Sequence, residues 1–254
     1  MTTKVLGRSA MRRVRPVNRT RERIFFAGMT LLMLASVLLG FRMTYFPLGP
    51  RPDAASSRVV QVHGALFSLF LLLFLVQTAL ISARRVKWHM RLGLWVYGLG
   101  ALLVPLGVVT AADQLRRDVT VGASDVLPVD PRTFSLVSVM GMVMFGTLIA
   151  WSYVARRRPD IHKRLALYAV LSMMDAAIDR WPYPAWGISQ SWAPWIYTGF
   201  LLLPVLYDLL TLHRVHRATM VAAPFAWTLH RLEIPLGHTQ AWHAVADWML
   251  RLSR

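Results

Sequence analysis

Residues 83–92 read Ala83-Arg84-Arg85-Val86-Lys87-Trp88-His89-Met90-Arg91-Leu92, and residues 155–165 read Ala155-Arg156-Arg157-Arg158-Pro159-Asp160-Ile161-His162-Lys163-Arg164-Leu165. Both contain Ala-Arg-Arg followed by His-x-Arg-Leu, with one extra residue in the second. Each follows a long apolar run and precedes another. A basic stretch between two such runs reads as the turn of a transmembrane hairpin. The pair therefore predicts an all-α, integral membrane six-helix bundle containing a repeated transmembrane hairpin.

The composition agrees. The chain has 254 residues and is 56% hydrophobic, with a mean hydropathy of +0.44. Several runs exceed the roughly 18 apolar residues needed to span a bilayer. The net charge of +17 comes from 29 Lys and Arg against 12 Asp and Glu. Segments 1–23, 83–91, 155–164 and 213–254 hold 22 of those 29. The positive-inside rule places all four in the cytoplasm of a bacterial inner-membrane protein, with both termini inside. No basic-aromatic module points to nucleic acid; the expected partners are the lipid bilayer and a membrane protein complex. The chain has no cysteine, which excludes disulfides, thiolate metal sites, cysteine-held iron–sulfur clusters and covalently attached haem.

Outward from the two turns, the expected spans are 24–46, 59–82, 92–112, 134–153, 165–181 and 195–212. They form a domain over 24–213, between a basic cytoplasmic segment (1–23) and a cytoplasmic tail (214–254). Pro105 should kink the third span. Residues 113–133 read as an outer loop. The tail is too polar to span. Trp242, Val245, Met249 and Leu252 share one helical face, which predicts an amphipathic helix on the inner surface. The repeat would relate the two hairpins by an axis along the bilayer normal.

Two constellations carry chemistry. His89 and His162 occupy equivalent places in the two turns, so an axis would bring them together as cofactor-binding residues. They are candidate axial ligands of a b-type haem, or ligands of a metal completed by His216, His213 or Asp208. The plain alternative is a pair of solvated interfacial histidines. The second constellation is an intramembrane polar cluster of His63, Asp175, Asp179, Arg42 and Arg180. Ionisable groups within a membrane face the bundle interior and mark ion or proton paths by default; the alternative is a buried salt-bridge cluster. A pair of His63 with Asp175 or Asp179 is its expected centre. Gln61 and Gln77 read as interhelical hydrogen-bond groups.

Several short motifs together resemble an uncharacterised family of bacterial multi-pass membrane proteins. They are Thr44-Tyr45-Phe46, His63-Gly64, Phe74-Leu75-Val76-Gln77-Thr78, His89-x-Arg91-Leu92-Gly93, His162-Lys163-Arg164-Leu165, Arg180-Trp181-Pro182, Tyr207-Asp208 and Arg214-Val215-His216. The resemblance implies a shared six-span architecture and no particular activity. The paired histidines also resemble those of six-helix, ascorbate-linked b-type cytochromes. Those proteins keep four histidines inside four core helices. Here only the inner pair could hold a haem.

Three functions follow as expectations: haem-b or metal binding in a redox context, a proton-coupled carrier, and a non-catalytic assembly subunit of a membrane complex. No nucleophile elbow, phosphate loop or zinc-protease motif is present.

Overall fold

The computed structural model describes residues 19–42, 45, 57–121 and 129–252. The basic segment expected over 1–23 lies outside this range up to residue 18, and so do most of the loop before α2 and residues 122–128. The described chain is helical, in the order α1 (Arg19–Phe41), α2 (Arg58–Ser82), α3 (Val86–Val121), α4 (Pro131–Val154), α5 (Pro159–Leu171), α6 (Asp175–Ile178), α7 (Ala193–Leu212), α8 (Arg217–Gly237) and α9 (Gln240–Leu252). Five of these, α1, α2, α3, α4 and α7, are long and apolar enough to cross a membrane. Their outward faces are apolar: Leu38, Leu72, Trp95, Leu102 and Leu210 are all exposed. An apolar exterior is what lipid, rather than water, tolerates.

The helix starts follow local chemistry. Asp130 caps α4 by accepting from the Thr133 amide at 3.1 Å, with Pro131 at the first helical position, where its missing N–H costs nothing. Ser57 caps α2 by accepting from the Val60 amide. The α2–α3 turn closes with Arg84 at φ 61° and a bond from the Arg85 amide to the Leu80 carbonyl.

Three expectations are corrected. First, α3 does not end near Ala112 but continues to Val121. At 1.5 Å per residue it is about 54 Å long, well beyond a hydrocarbon core of about 30 Å. Asp113, Arg116, Arg117 and Asp118 are therefore helical, with an i,i+4 Asp113–Arg117 pair supporting the extension. Second, the fifth span is broken. α5 stops at Leu171, Ser172–Met174 turn, and α6 is a single turn. Gly40 of α1 lets the two backbones meet there; a Cβ on it would strike the Ala177 carbonyl.

Third, most of the tail does not lie on a surface. α8 runs the length of α4 in the opposite direction. Near its start, Thr219 donates to Asp208 at 2.5 Å. At its end, the Thr133 hydroxyl donates to the Gly237 carbonyl at 3.2 Å. Its inner face is small (Ala218, Ala222, Ala223 and Ala226 are buried), whereas Met220, Val221, Trp227 and Leu236 are exposed. Small residues let helices approach closely in a membrane.

α1 begins at the end of the bundle that holds the basic turns, where Lys163 pairs with Glu22 and Arg23 donates to the Ser82 carbonyl. α9 sits at the opposite end, against the protruding part of α3 and the start of α4. Ala246 and Met249 pack there with Leu115. Trp242 Nε1 donates to the Arg132 carbonyl at 2.8 Å, and Arg132 pairs with Asp247 at 2.8 Å. Arg19 and Leu252 thus lie at opposite ends, where a common side was expected. α9 keeps its expected apolar face, which meets protein at Met249.

Candidate metal centre

Breaking α5 before Asp175 has a chemical consequence. It turns that carboxylate inward, 4% exposed, with Oδ1 accepting from the Ala176 amide at 2.7 Å. α8 brings two further groups to the same place. His230 and Glu233 are three apart, hence neighbours on one helix face. His230 Nδ1 lies 3.0 Å from Glu233 Oε2 and 3.7 Å from Asp175 Oδ2. One ligand atom from each of the three residues lies within 4.8 Å of the other two.

The cluster is buried and incompletely satisfied. Glu233 is 1% exposed, and its Oε1 has no hydrogen-bond partner among the described residues. The Tyr197 ring leans on His230 at 4.4 Å between centroids, and its buried hydroxyl is also unpartnered among the described residues. Buried polar atoms are ordinarily paired, so two orphans beside three ligand-type groups call for an explanation. A cavity of about 60 Å³ adjoins Asp175, between α4 and α6, with Ser138, Gly141, Asp179 and Arg180 on its wall. Arg180 donates to the Ala176 carbonyl at 2.6 Å and lies over the Phe41 ring.

The expected His63 pairing is replaced by this one. His63 stacks on Phe67 along its own helix, and its Nδ1 has no partner among the described residues. The imidazole facing Asp175 belongs to His230. Arg42 follows the end of α1 and does not join the cluster's bonds. The sequence reading missed His230, Glu233 and Tyr197. The signal for the first two is the spacing His230-Arg231-Leu232-Glu233; Tyr197 carries none.

His89 and His162 do come together, with ring centroids 6.2 Å apart and planes at 73°. Both are already engaged. The Gln77 amide is fixed by two backbone groups: its nitrogen donates to the His89 carbonyl at 3.1 Å and its oxygen accepts from the Gly93 amide at 3.0 Å. That nitrogen also donates to His89 Nδ1. A neutral His89 then carries its proton on Nε2 and offers an N–H there, not a lone pair. His162 Nδ1 contacts the Ser152 carbonyl at 3.3 Å and the Tyr97 hydroxyl at 3.1 Å. Gln77 and Gly93 thus hold the His89 side, and Tyr97 and Ser152 the His162 side. His89, with its N–H on Nε2, does not offer the lone pair that a haem iron takes.

His216 and Asp208 are likewise committed. Arg164 donates Nε and Nη2 to the Asp208 carboxylate, which is 0% exposed. Thr219 and the His216 amide supply further donors to the same carboxylate. His216 Nδ1 caps α8 by accepting from the Ala218 amide at 3.1 Å. These residues lock α5, α7 and α8 together, and the metal role expected of them has no free donor set. Outside the spans, the Asp160 carboxyl is held below the usual range by Lys163.

Comparisons with protein-family models, with curated proteins and with solved structures give no match.

Proposed function

We propose that the protein is a bacterial inner-membrane metalloprotein that holds one divalent first-row metal ion between Asp175, His230 and Glu233. The carrying observation is the closeness of the three ligand atoms, all within 4.8 Å of one another in a buried site. In a tetrahedral centre with bonds of about 2.0–2.2 Å, ligand atoms stand about 3.4 Å apart. The separations of 3.0 and 3.7 Å from His230 Nδ1 bracket that value. One imidazole and two carboxylates suit zinc, manganese or iron. An ion would neutralise two buried carboxylates that share one imidazole, that of His230. Three protein ligands leave a fourth position open beside the Asp175 cavity, and a metal there supplies Lewis acidity and an activated water.

With the basic turns in the cytoplasm, as the positive-inside rule has it, α8 adds a crossing and α9 lies on the periplasmic side. The chain then crosses seven times, counting the broken α5–α6 passage.

The test is metal analysis of purified protein, with an absorption spectrum on the same sample. Near one equivalent of metal, lost in His230→Ala and Glu233→Gln but kept in His89→Ala, supports the centre. A haem spectrum that depends on His89 would overturn it. So would a folded, metal-free protein whose Asp175-dependent proton movement in proteoliposomes marks the carrier reading instead.

A further inference from the structure

The paired basic turns form one strongly basic surface. Contact between His89 and His162 sets the α2–α3 turn beside the α4–α5 turn. Arg84, Arg85 and Lys87 are exposed on one, and Arg156, Arg157 and Arg158 on the other. Among the described residues no carboxylate lies within ion-pair distance of these six. The nearby carboxylates of Asp160 and Glu22 are held by Lys163.

Two details show that the charge is placed rather than merely tolerated. Arg84 occupies the left-handed backbone region, φ 61°, just after α2. That position favours glycine, and an ordinary side chain there is strained. Keeping arginine where glycine would fold more easily points to a use for its side chain. Arg91 lies on the same face of α3 as Trp88 and Trp95, at offsets of three and four residues, with its guanidinium 5.8 Å from the Trp88 ring. Trp88 is 59% and Trp95 78% exposed. Arg156 stacks over Tyr153 at 4.2 Å, beside exposed Val154. Cations therefore sit directly above apolar side chains on both hairpins.

We propose that this double turn is a binding site for the headgroup of an anionic phospholipid, with the acyl chains lying along Trp88, Trp95 and Val154. A phosphate placed between the turns meets guanidinium groups from both sides, which suits bidentate hydrogen bonding. It also meets the Nε2–H of half-buried His89. Juxtamembrane basic clusters attract anionic lipid in this way. The site is independent of the metal reading. It rests on the turns lying at a membrane surface.

The experiment is native mass spectrometry of the detergent-purified full chain, titrated with phosphatidylglycerol or cardiolipin and separately with phosphatidylcholine. The wild type should retain the anionic lipids at least tenfold better. Each basic group at such a surface contributes about fivefold, so Arg84→Gly combined with Arg91→Gln and Arg157→Gln should weaken retention about 100-fold. Arg84→Gly relieves backbone strain, so its thermal midpoint should hold or rise while its lipid retention falls. Arg116→Gln and Arg251→Gln, at the opposite end, should change nothing. Equal retention of anionic and zwitterionic lipid would overturn the site. So would displacement of the lipid by millimolar inorganic phosphate, or an equal loss in the opposite-end variants.

Discussion

The hydroxyl of Thr133, at the start of α4, donates to the carbonyl of Gly237, at the end of α8. Thr219, at the other end of α8, bonds Asp208 of α7, so α8 is held at both ends while it packs along α4. The proposed metal centre depends on that placement, because α8 carries both His230 and Glu233.

The crossing is tight. A Cβ on Gly237 would stand 2.7 Å from the Thr133 carbonyl oxygen. Gly237→Ala should cost about 1–3 kcal/mol as overpacking, read as a lower thermal midpoint in detergent. Gly199→Ala, where a Cβ meets open space, should be neutral or slightly stabilising.

The clasp of Arg164 and Asp208 is a buried ion pair with every acceptor used. Removing one partner strands the other charge, so Asp208→Ala should destabilise by about 3–5 kcal/mol. The double variant Arg164→Met/Asp208→Leu should recover part of that loss. Denaturant midpoints of the three variants measure it.

Metal binding to the folded state must also appear as stability. Added zinc or manganese at about 100 times its dissociation constant should raise stability by about 2.7 kcal/mol. Glu233→Gln should abolish that gain and leave the metal-free midpoint unchanged or higher, since one of two packed carboxylates is neutralised.

The chain has no cysteine, so single introduced thiols report sidedness cleanly. Arg85→Cys and Gln240→Cys should react with an impermeant maleimide from opposite faces of the membrane. Labelling of both from one face would contradict the crossing by α8.

The Arg132–Asp247 pair should make docking of α9 sensitive to acid. Hydrogen bonding to Arg132 holds the Asp247 carboxyl below its ordinary value. A depressed folded-state pKa adds stability above the unfolded value near 4, lost as pH falls through the folded one. Amide exchange over 240–252 should therefore rise below about pH 4. Asp247→Asn should exchange faster at pH 7 and lose that dependence. The effect is modest, as expected of an exposed pair.

Helical class and the five apolar helices were legible because lipid imposes long uncharged runs that hydropathy reads directly. The closeness of His89 and His162 was legible from their shared place in two similar turns. Three features were not. The α5 break leaves no proline or glycine between Leu171 and Asp175, so tertiary packing, not local propensity, ends the helix. α3 outruns its apolar core because Asp113 and Arg117 support each other across one turn. α8 carries Pro224, Pro235, Arg231 and Glu233, and its polarity hides a face of buried alanines. Its charges are accommodated by position: Arg231 lies between Trp195 and Trp227, and Glu233 faces His230. Hydropathy averages over a helix, whereas burial is decided face by face, and for that reason His63 was paired with Asp175 in place of His230.

α8 also sets the order in which the chain can mature. It is not among the helices apolar enough to cross a membrane, so in the proposed seven-crossing arrangement it becomes stable only when α4, α5 and α7 already offer a surface for its buried alanines and the Asp208 acceptor. Until it arrives, Asp208, Arg164 and Asp175 face a gap in the bundle. The last helix of the bundle to be synthesised is thus the one that seals it, and a chain cut short before residue 217 keeps its apolar helices while exposing its most polar seam to lipid.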